Sequence, residues 1–274
     1  MSYETILFEQ SADKVATITL NRPDAANSFN RQMCEEFRDV WQRIKLDDSI
    51  NAVVLRAAPG RAWCTGTDVH AFRISQDSLP PEKRGGVLMY EALWNKVDPG
   101  ELLGPKANGC WKPVVAAVHG MACGGAFYWL NESEIVICSQ DATFFDPHVT
   151  YGQVAALEPI GLRQRVPLQE VLRMVCLGND ERIGAETALR ISLVTEVVKL
   201  DDLWPRAHEL AAKIAAKPTS AVQGSLRAIW ESMDVGRRAA LDMGLKYCLL
   251  GNPYGTSEVS REAIMAAPKT FDVR

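Results

Sequence analysis

Residues 112–130 read KPVVAAVHGMACGGAFYWL. The stretch opens on an unbroken apolar run, of the kind that fills a strand buried on both faces. It ends in aromatic and aliphatic residues that look like a helix start. Between them stand Gly124 and Gly125. Glycines at a strand-to-helix junction let backbone N–H groups face an acceptor with no Cβ in the way. The helix start adds a partial positive charge. A second loop, CTGTD at 64–68, repeats the idea, because Gly66 permits a sharp turn beside Thr67. Two such amides aimed at one point form an oxyanion hole, and one donor of such a hole contributes roughly 3 to 4 kcal/mol to rate. Glycine after a strand more often means only a tight turn, so spacing alone leaves both readings open.

Upstream, TILFEQ and KVATITL read as strands, and LNRPDAANS as a loop. FNRQMCEEFRDVWQRIK puts Met33, Phe37, Trp41 and Ile44 on one helical face. Asn27, Ser28 or Asn30 can cap that helix. NAVVLRAA is another buried strand, which completes a βαβ unit. Residues 73–112 are broken by PP, GG and DPG around VLMYEALWNKV, an expected helix. Downstream, SEIVICS and ATFFD read as strands, and VPLQEVLRMVCLG as an amphipathic helix ended by Gly178. ERIGAETALRISLVTEVV reads as helix, turn and strand. From about residue 202 the pattern is helical. The expected organisation is an α/β core over 1–201 and a helical C-terminal region over 202–274.

The chain has 274 residues and a formal net charge of −4. That charge gives no bulk attraction for nucleic acid. The cysteines are Cys34, Cys64, Cys110, Cys123, Cys138, Cys176 and Cys248, with no CxxC pair, so no metal site is expected. Scattered cysteines among apolar neighbours suit a reducing, cytoplasmic chain. MSYETILFEQ lacks the features of a signal peptide, and no apolar run is long enough to span a bilayer.

Taken in order, ITLNRPDAANSFN, VVLRAAPGRAWCTGTDV and KPVVAAVHGMACGGA resemble the enoyl-CoA hydratase/isomerase family of the crotonase superfamily. LGNDERIGAETALRISLVTEVV and the helical tail extend the likeness over nearly the whole chain. The resemblance implies an α/β fold, a spiral of ββα turns with a C-terminal α-helical trimerisation region. It implies a homotrimer or a dimer of trimers, and an acyl-CoA substrate bent between the two loops, with no cofactor beyond the coenzyme A that carries it. The oxyanion amides then fall on Thr67 and Gly125. Backbone of Ala25, Thr65 and Val69 would meet the adenine, and Gly66, Thr67, Asp68, Gly124 and Gly125 of the two loops would complete the CoA-binding set. Asp24 stands where relatives often carry a basic phosphate contact; Arg22, Arg61 and Arg73 are possible substitutes, and Lys269 and Phe271 could reach a neighbour's CoA.

The chain departs from the hydratase pattern at two places. The family's hydratases place one glutamate three residues after the oxyanion glycine, where this chain has Tyr128. They place the other after a proline in a phrase like FGQPE, where this chain has FFDPH and therefore His148. ALEPIGL replaces a glycine-rich turn that often follows. Tyr128 is a poor base at neutral pH but a fair hydrogen-bond donor. His148 can give or take a proton near pH 7, and Asp146 is placed to orient it. Glu158 is the nearest downstream carboxylate and could stand in for a missing acid. A structural reading is favoured for His119, a pocket-mouth position is open for His70, and His208 is expected in solvent. Trp63 would pack on the adenosine or in the core. Cys64 and Cys123 flank the loops without evidence of nucleophilic use. The expectation is a hydratase- or isomerase-type lyase or isomerase with His148 as principal acid/base. The alternatives are another crotonase reaction, C–C cleavage or thioester hydrolysis, or a non-catalytic acyl-CoA-binding protein.

Overall fold

Short runs of Val, Ile and Thr favour extended backbone, since branched side chains pack well on a pleated surface. The computed structural model describes residues 3–71, 98–267 and 271–273. Within them, β1 (Ile6–Gln10) and β2 (Val15–Leu20) pair antiparallel. The chain then crosses through α1 (Arg31–Leu46) to β3 (Ala52–Ala57), parallel to β2. This is the expected βαβ unit. Asn30 caps α1 by accepting the Met33 N–H at 2.9 Å. Met33, Phe37, Trp41 and Ile44 are all buried.

Each later turn feeds one strand to each of two sheets. β3 leads to β4 (Ala62–Cys64), β5 (Val114–Val118) to β6 (Met121–Cys123), and β7 (Ile135–Ser139) to β8 (Thr143–Phe145). With β9 (Ile183–Gly184) and β10 (Glu196–Val198), the described strands order as β1-β2-β3-β5-β7-β10 and β4-β6-β8-β9. The helices after α1 are α2 (Gly100–Leu103), α3 (Phe127–Asn131), α4 (Leu157–Leu162), α5 (Leu168–Leu177), α6 (Ala185–Arg190) and α7 (Leu200–Ala215). The winding matches the expected mixed α/β architecture of ββα turns.

In sequence, residues 114–123 run as one mostly apolar stretch, interrupted by His119 and Gly120, into the glycine pair. The structure divides that stretch at Gly120, where φ is 57°. A β-carbon there would lie 2.5 Å from the Arg61 carbonyl oxygen. Only glycine lets the chain turn so close to Arg61 and pass from the large sheet to the small one. The expected helix VLMYEALWNKV, and Arg73 and Lys269, lie outside the described residues.

Strand periodicity builds two cores. Val53 and Leu55 point into the main one, with Trp63, Phe127 and Trp129. Ala52 and Val54 point to the other face of the large sheet. There α7 covers them with Leu203, Ala207, Ala211 and Ala215, a stripe of period four. Beyond it run α8 (Thr219–Ser232), α9 (Arg237–Ser257) and α10 (Arg261–Ala266). Trp230 of α8 ties this tail to the core by donating to Glu134 Oε1 at 2.7 Å. Among the described residues, no helix is long and apolar enough to cross a membrane.

Candidate active site

The two glycine loops meet through main chain. Phe29 donates its N–H to the Gly66 carbonyl and accepts from the Asp68 N–H, both at 2.8 Å. In such a parallel bridge the residue between, Thr67, turns its own N–H to the opposite side. Gly66 has φ 78°, and a β-carbon on it would lie 2.9 Å from Gly125 N and 3.1 Å from the Cys123 carbonyl. Gly125 is equally constrained, because a β-carbon there would fall 2.5 Å from the buried Phe29 ring. Gly124 has φ 53° and sits at the end of β6, before α3. The loops are thus in contact at Gly66 and Gly125, the pair of turns singled out from sequence.

The loop after β2 is zipped to the same place. Thr65 donates its N–H to the Ala26 carbonyl at 3.2 Å, and Ala25 accepts from the Ser28 N–H at 3.0 Å. Arg22 clamps the two loops, with its guanidinium 2.8 Å from Asp68 Oδ2 and a second bond to the Ser28 carbonyl. Burial opposes ionisation of Asp68, yet the Ala71 N–H and Arg22 hold its carboxyl below the usual range. Ala25, Thr65, Gly66, Thr67, Asp68 and Val69 therefore belong to one hydrogen-bonded pair of loops, with Val69 60% exposed. Arg22 is committed to this clamp. His70 and Arg61 are exposed, and Phe271 is exposed in the tail.

Side chains approach the glycine pair from two directions. A β-carbon on Gly124 would lie 3.6 Å from His148 Cε1, and one on Gly125 would lie 3.4 Å from Tyr128 Cε2. His148 follows β8 and Pro147, in a short turn that puts its ring beside the glycines. Its Nδ1 lies 2.7 Å from Asp146 Oδ1, which also accepts the His148 backbone N–H at 3.0 Å. Asp146 is fully buried. The hydrogen bond that Asp146 accepts from the ring raises the His148 pKa, against the opposing effect of burial. It commits Nδ1 as the donor and leaves Nε2 for chemistry.

Nε2 looks toward Glu158 Oε1 at 4.0 Å. Glu158 lies in the first turn of α4 and is 6% exposed, while Leu157 and Ile160 of the same helix face outward. Burial raises the Glu158 pKa, and nearby Asp146 and Asp98 add to the rise against His148. The departure ALEPIGL thus supplies a buried carboxyl where a glycine-rich turn would carry no side chain. Tyr128, on α3, donates to Asp98 Oδ2 at 3.2 Å. Burial first, and then the charges of Glu158 and Asp98, push its phenol far up. Tyr128 is a neutral hydroxyl, not a base.

Asp98 was not singled out from the sequence. It lies in the DPG break and its other oxygen, Oδ1, accepts the Gly100 N–H at 2.8 Å. Asp-Pro turn chemistry was its only local signal, and its thirty-residue distance from Tyr128 hid the contact. Trp63 settles into the core, edge-on to Trp129 at 5.9 Å and fully buried. His119 is buried away from these groups, and burial lowers its pKa. His208 is more than solvated: its Nε2 pairs with Asp13 Oδ2 at 2.9 Å. Burial drives the Cys64 thiol far up and the Cys123 thiol to about 12, so both stay protonated.

The comparisons agree with this architecture. The family model described as Enoyl-CoA hydratase/isomerase matches residues 10–247. A short-chain-enoyl-CoA hydratase of Clostridium acetobutylicum is 32% identical over 248 residues, covering 88% of this chain and 87% of the relative. A mitochondrial Delta(3,5)-Delta(2,4)-dienoyl-CoA isomerase of Mus musculus is 30% identical over 230 residues, covering 82% and 68%. The crystal structure of an enoyl-CoA hydratase/isomerase from Mycobacterium paratuberculosis superimposes with a TM-score of 0.83 at 32% identity, covering 96% of both chains.

Proposed function

The chain belongs to the enoyl-CoA hydratase/isomerase family, of the crotonase superfamily, and from that premise we propose that it processes acyl-CoA thioesters through an enolate. The thioester oxygen is received by the Thr67 and Gly125 amides. Charge that develops on that oxygen is stabilised by preorganised donors, which need no rearrangement as the reaction proceeds. His148 moves the proton at the α-carbon through Nε2, with Asp146 holding its ring. Tyr128 lines the site as a neutral hydroxyl oriented by Asp98. The CoA adenine lies along Ala25, Thr65 and Val69, with Gly66, Asp68 and Gly124 shaping the loops. The substrate carries its own activating group, so the reaction calls for no separate cofactor.

One observation carries the reading. The Gly124–Gly125 backbone lies against Gly66, and His148 and Tyr128 lie beside the same two glycines. A carbonyl held there has a proton-transfer group beside it. The test is twofold. Loss of conjugated thioester absorbance with crotonyl-CoA and longer enoyl-CoAs reports hydration. Deuterium exchange at the α-carbon of a saturated acyl-CoA reports proton abstraction alone. His148→Ala should abolish exchange; exchange at the parental rate removes His148 from the mechanism.

A second reading is supported by the Asp146–His148 pair, which could equally direct a water to the thioester carbonyl. Release of free CoA thiol, followed with a thiol reagent, separates thioester hydrolysis from hydration. C–C cleavage would release a shortened acyl-CoA. Tight acyl-CoA binding with neither exchange nor turnover would mark a binding protein. The assembly we propose is a homotrimer or a dimer of trimers, supported by the stripe Leu241, Leu245 and Leu249, each more than half exposed on α9. Cysteines that are all free support a reducing cytoplasm as the place of work.

A further inference from the structure

A hydration needs two proton-transfer groups, one at the attacking water and one at the α-carbon. The two positions that would carry them hold Tyr128 and His148, and Tyr128 is a neutral hydroxyl that donates to Asp98 with the Glu158 carboxyl also beside it. Among the described residues, the ionisable group that faces His148 Nε2 is Glu158, 4.0 Å away and 6% exposed. We propose that Glu158 is the second proton-transfer group, the base for water, paired directly with His148; this rests on the enolate reading above.

The geometry supports a closed cycle. Asp146 fixes Nδ1, so the single mobile proton on the imidazole is at Nε2, the atom facing Glu158. The reactive state has an imidazolium and a carboxylate. Water loses a proton to Glu158 as its oxygen bonds to the β-carbon. The electrons of the C=C bond move to the thioester oxygen, held by the Thr67 and Gly125 amides. As the enolate collapses, the α-carbon takes the Nε2 proton of His148. The site is then left with neutral imidazole and a protonated Glu158. One proton passes from Oε1 to Nε2 and restores the starting state. The sum is one water added across one double bond, with no other reactant. A separation just beyond hydrogen-bond reach, which is about 2.6 to 3.2 Å for proton transfer, leaves the two groups apart while each serves its own carbon. A small side-chain movement closes it.

Two features of this chain fit that role. Glu158 is placed by α4, the helix formed by ALEPIGL, which packs on α3 with Tyr128. Its backbone carbonyl accepts from Asn131 Nδ2 at 2.8 Å, which pins the helix start without using the carboxyl. The side chain can therefore be changed while its backbone anchor stays.

The experiment is Glu158→Gln in the full-length chain, with hydration of enoyl-CoA and α-deuterium exchange of saturated acyl-CoA measured on the same preparation. Hydration should fall at least 100-fold, with exchange within threefold of the parent. The exchange signal also reports that the variant is folded. Glu158→Asp should recover part of the hydration. A parent that exchanges without hydrating, or an E158Q enzyme that hydrates within threefold of the parent, overturns Glu158's role and leaves the enolate reading standing. An E158Q enzyme that loses exchange as completely as hydration also overturns the division of labour. A parent with no exchange overturns the enolate reading, and this inference with it.

Discussion

Asp146 Oδ1 binds His148 twice, taking the ring Nδ1 at 2.7 Å and the backbone N–H at 3.0 Å. The two residues flank Pro147, so the carboxylate fixes both the ring and the turn that presents it. A buried carboxylate so placed favours the imidazolium, and His148's pKa is raised, chiefly by that hydrogen bond.

Asp146→Asn should therefore move the His148 titration downward. If His148 gives its proton at the α-carbon, the basic limb of the kcat/KM profile shifts to lower pH in D146N. A limb that stays in place would show that another group sets it. The stability sign follows the same shift. A proton held more tightly in the folded state stabilises the fold fully below the ordinary imidazole value. That contribution is lost as pH rises through the raised value. Denaturant midpoints of parent and D146N should accordingly draw together as pH increases.

Gly125→Ala should depress catalysis more than binding. Its new methyl would press on the Phe29 ring, which is fully buried and cannot withdraw. Displacing one amide donor costs about 3 kcal/mol of transition-state stabilisation, on the order of 100-fold in kcat. The strain should also lower stability by about 1 to 3 kcal/mol. Steady-state kinetics beside a thermal melt checks both; an unchanged kcat would show that the Gly125 amide receives no developing charge.

Arg22→Ala should loosen the loop pair. The guanidinium joins Asp68 to the Ser28 carbonyl across two loops, and both partners are mostly shielded. Loss of a charged hydrogen bond of this kind costs about 1.5 to 3 kcal/mol. CoA affinity, read by calorimetry, should fall about tenfold or more, while kcat changes little. Asp68, held below its usual range less strongly once only the backbone N–H groups remain, would also contribute less stability. That contribution is present above the unfolded carboxyl value and lost as pH falls through the folded one. Equal CoA affinity in R22A and parent would detach this clamp from CoA binding.

Leu245→Glu with Leu249→Glu should dissociate the proposed assembly. Both side chains lie on the exposed stripe of α9, at 61% and 68% exposure. Two carboxylates on a buried contact would be strongly unfavourable. Sedimentation velocity should report a trimer or hexamer for the parent and a smaller species for the variant. A parent that sediments as a monomer refutes the assembly.

The larger elements were legible because their signals are local. The Met33–Phe37–Trp41–Ile44 stripe marks α1 from sequence alone, with Asn30 one of three candidate caps, and Val114–Val118 could be little other than a buried strand. The small sheet was not legible in the same way. Its strands β4, β6 and β8 have three residues each, too few for a period to show; β8 can be read within ATFFD, but β4 lies in an apparent loop and β6 is fused in sequence to β5 through Gly120. In the site, the glycine loops and His148 were readable by motif. Asp98 was not, and the facing of Glu158 toward His148 was not either. Such contacts depend on how separate turns of the spiral stack, which no window of neighbouring residues records.

The contact at Gly66 and Gly125 is made of main chain, with no side chain of the two residues between them. Tyr128 and His148 stand around that contact without forming it. A cradle written in the backbone is indifferent to which side chains surround it. If that cradle seats the carbonyl, as proposed, chemistry can be rewritten at residues 128, 148 and 158 one letter at a time while the seat is inherited with the fold.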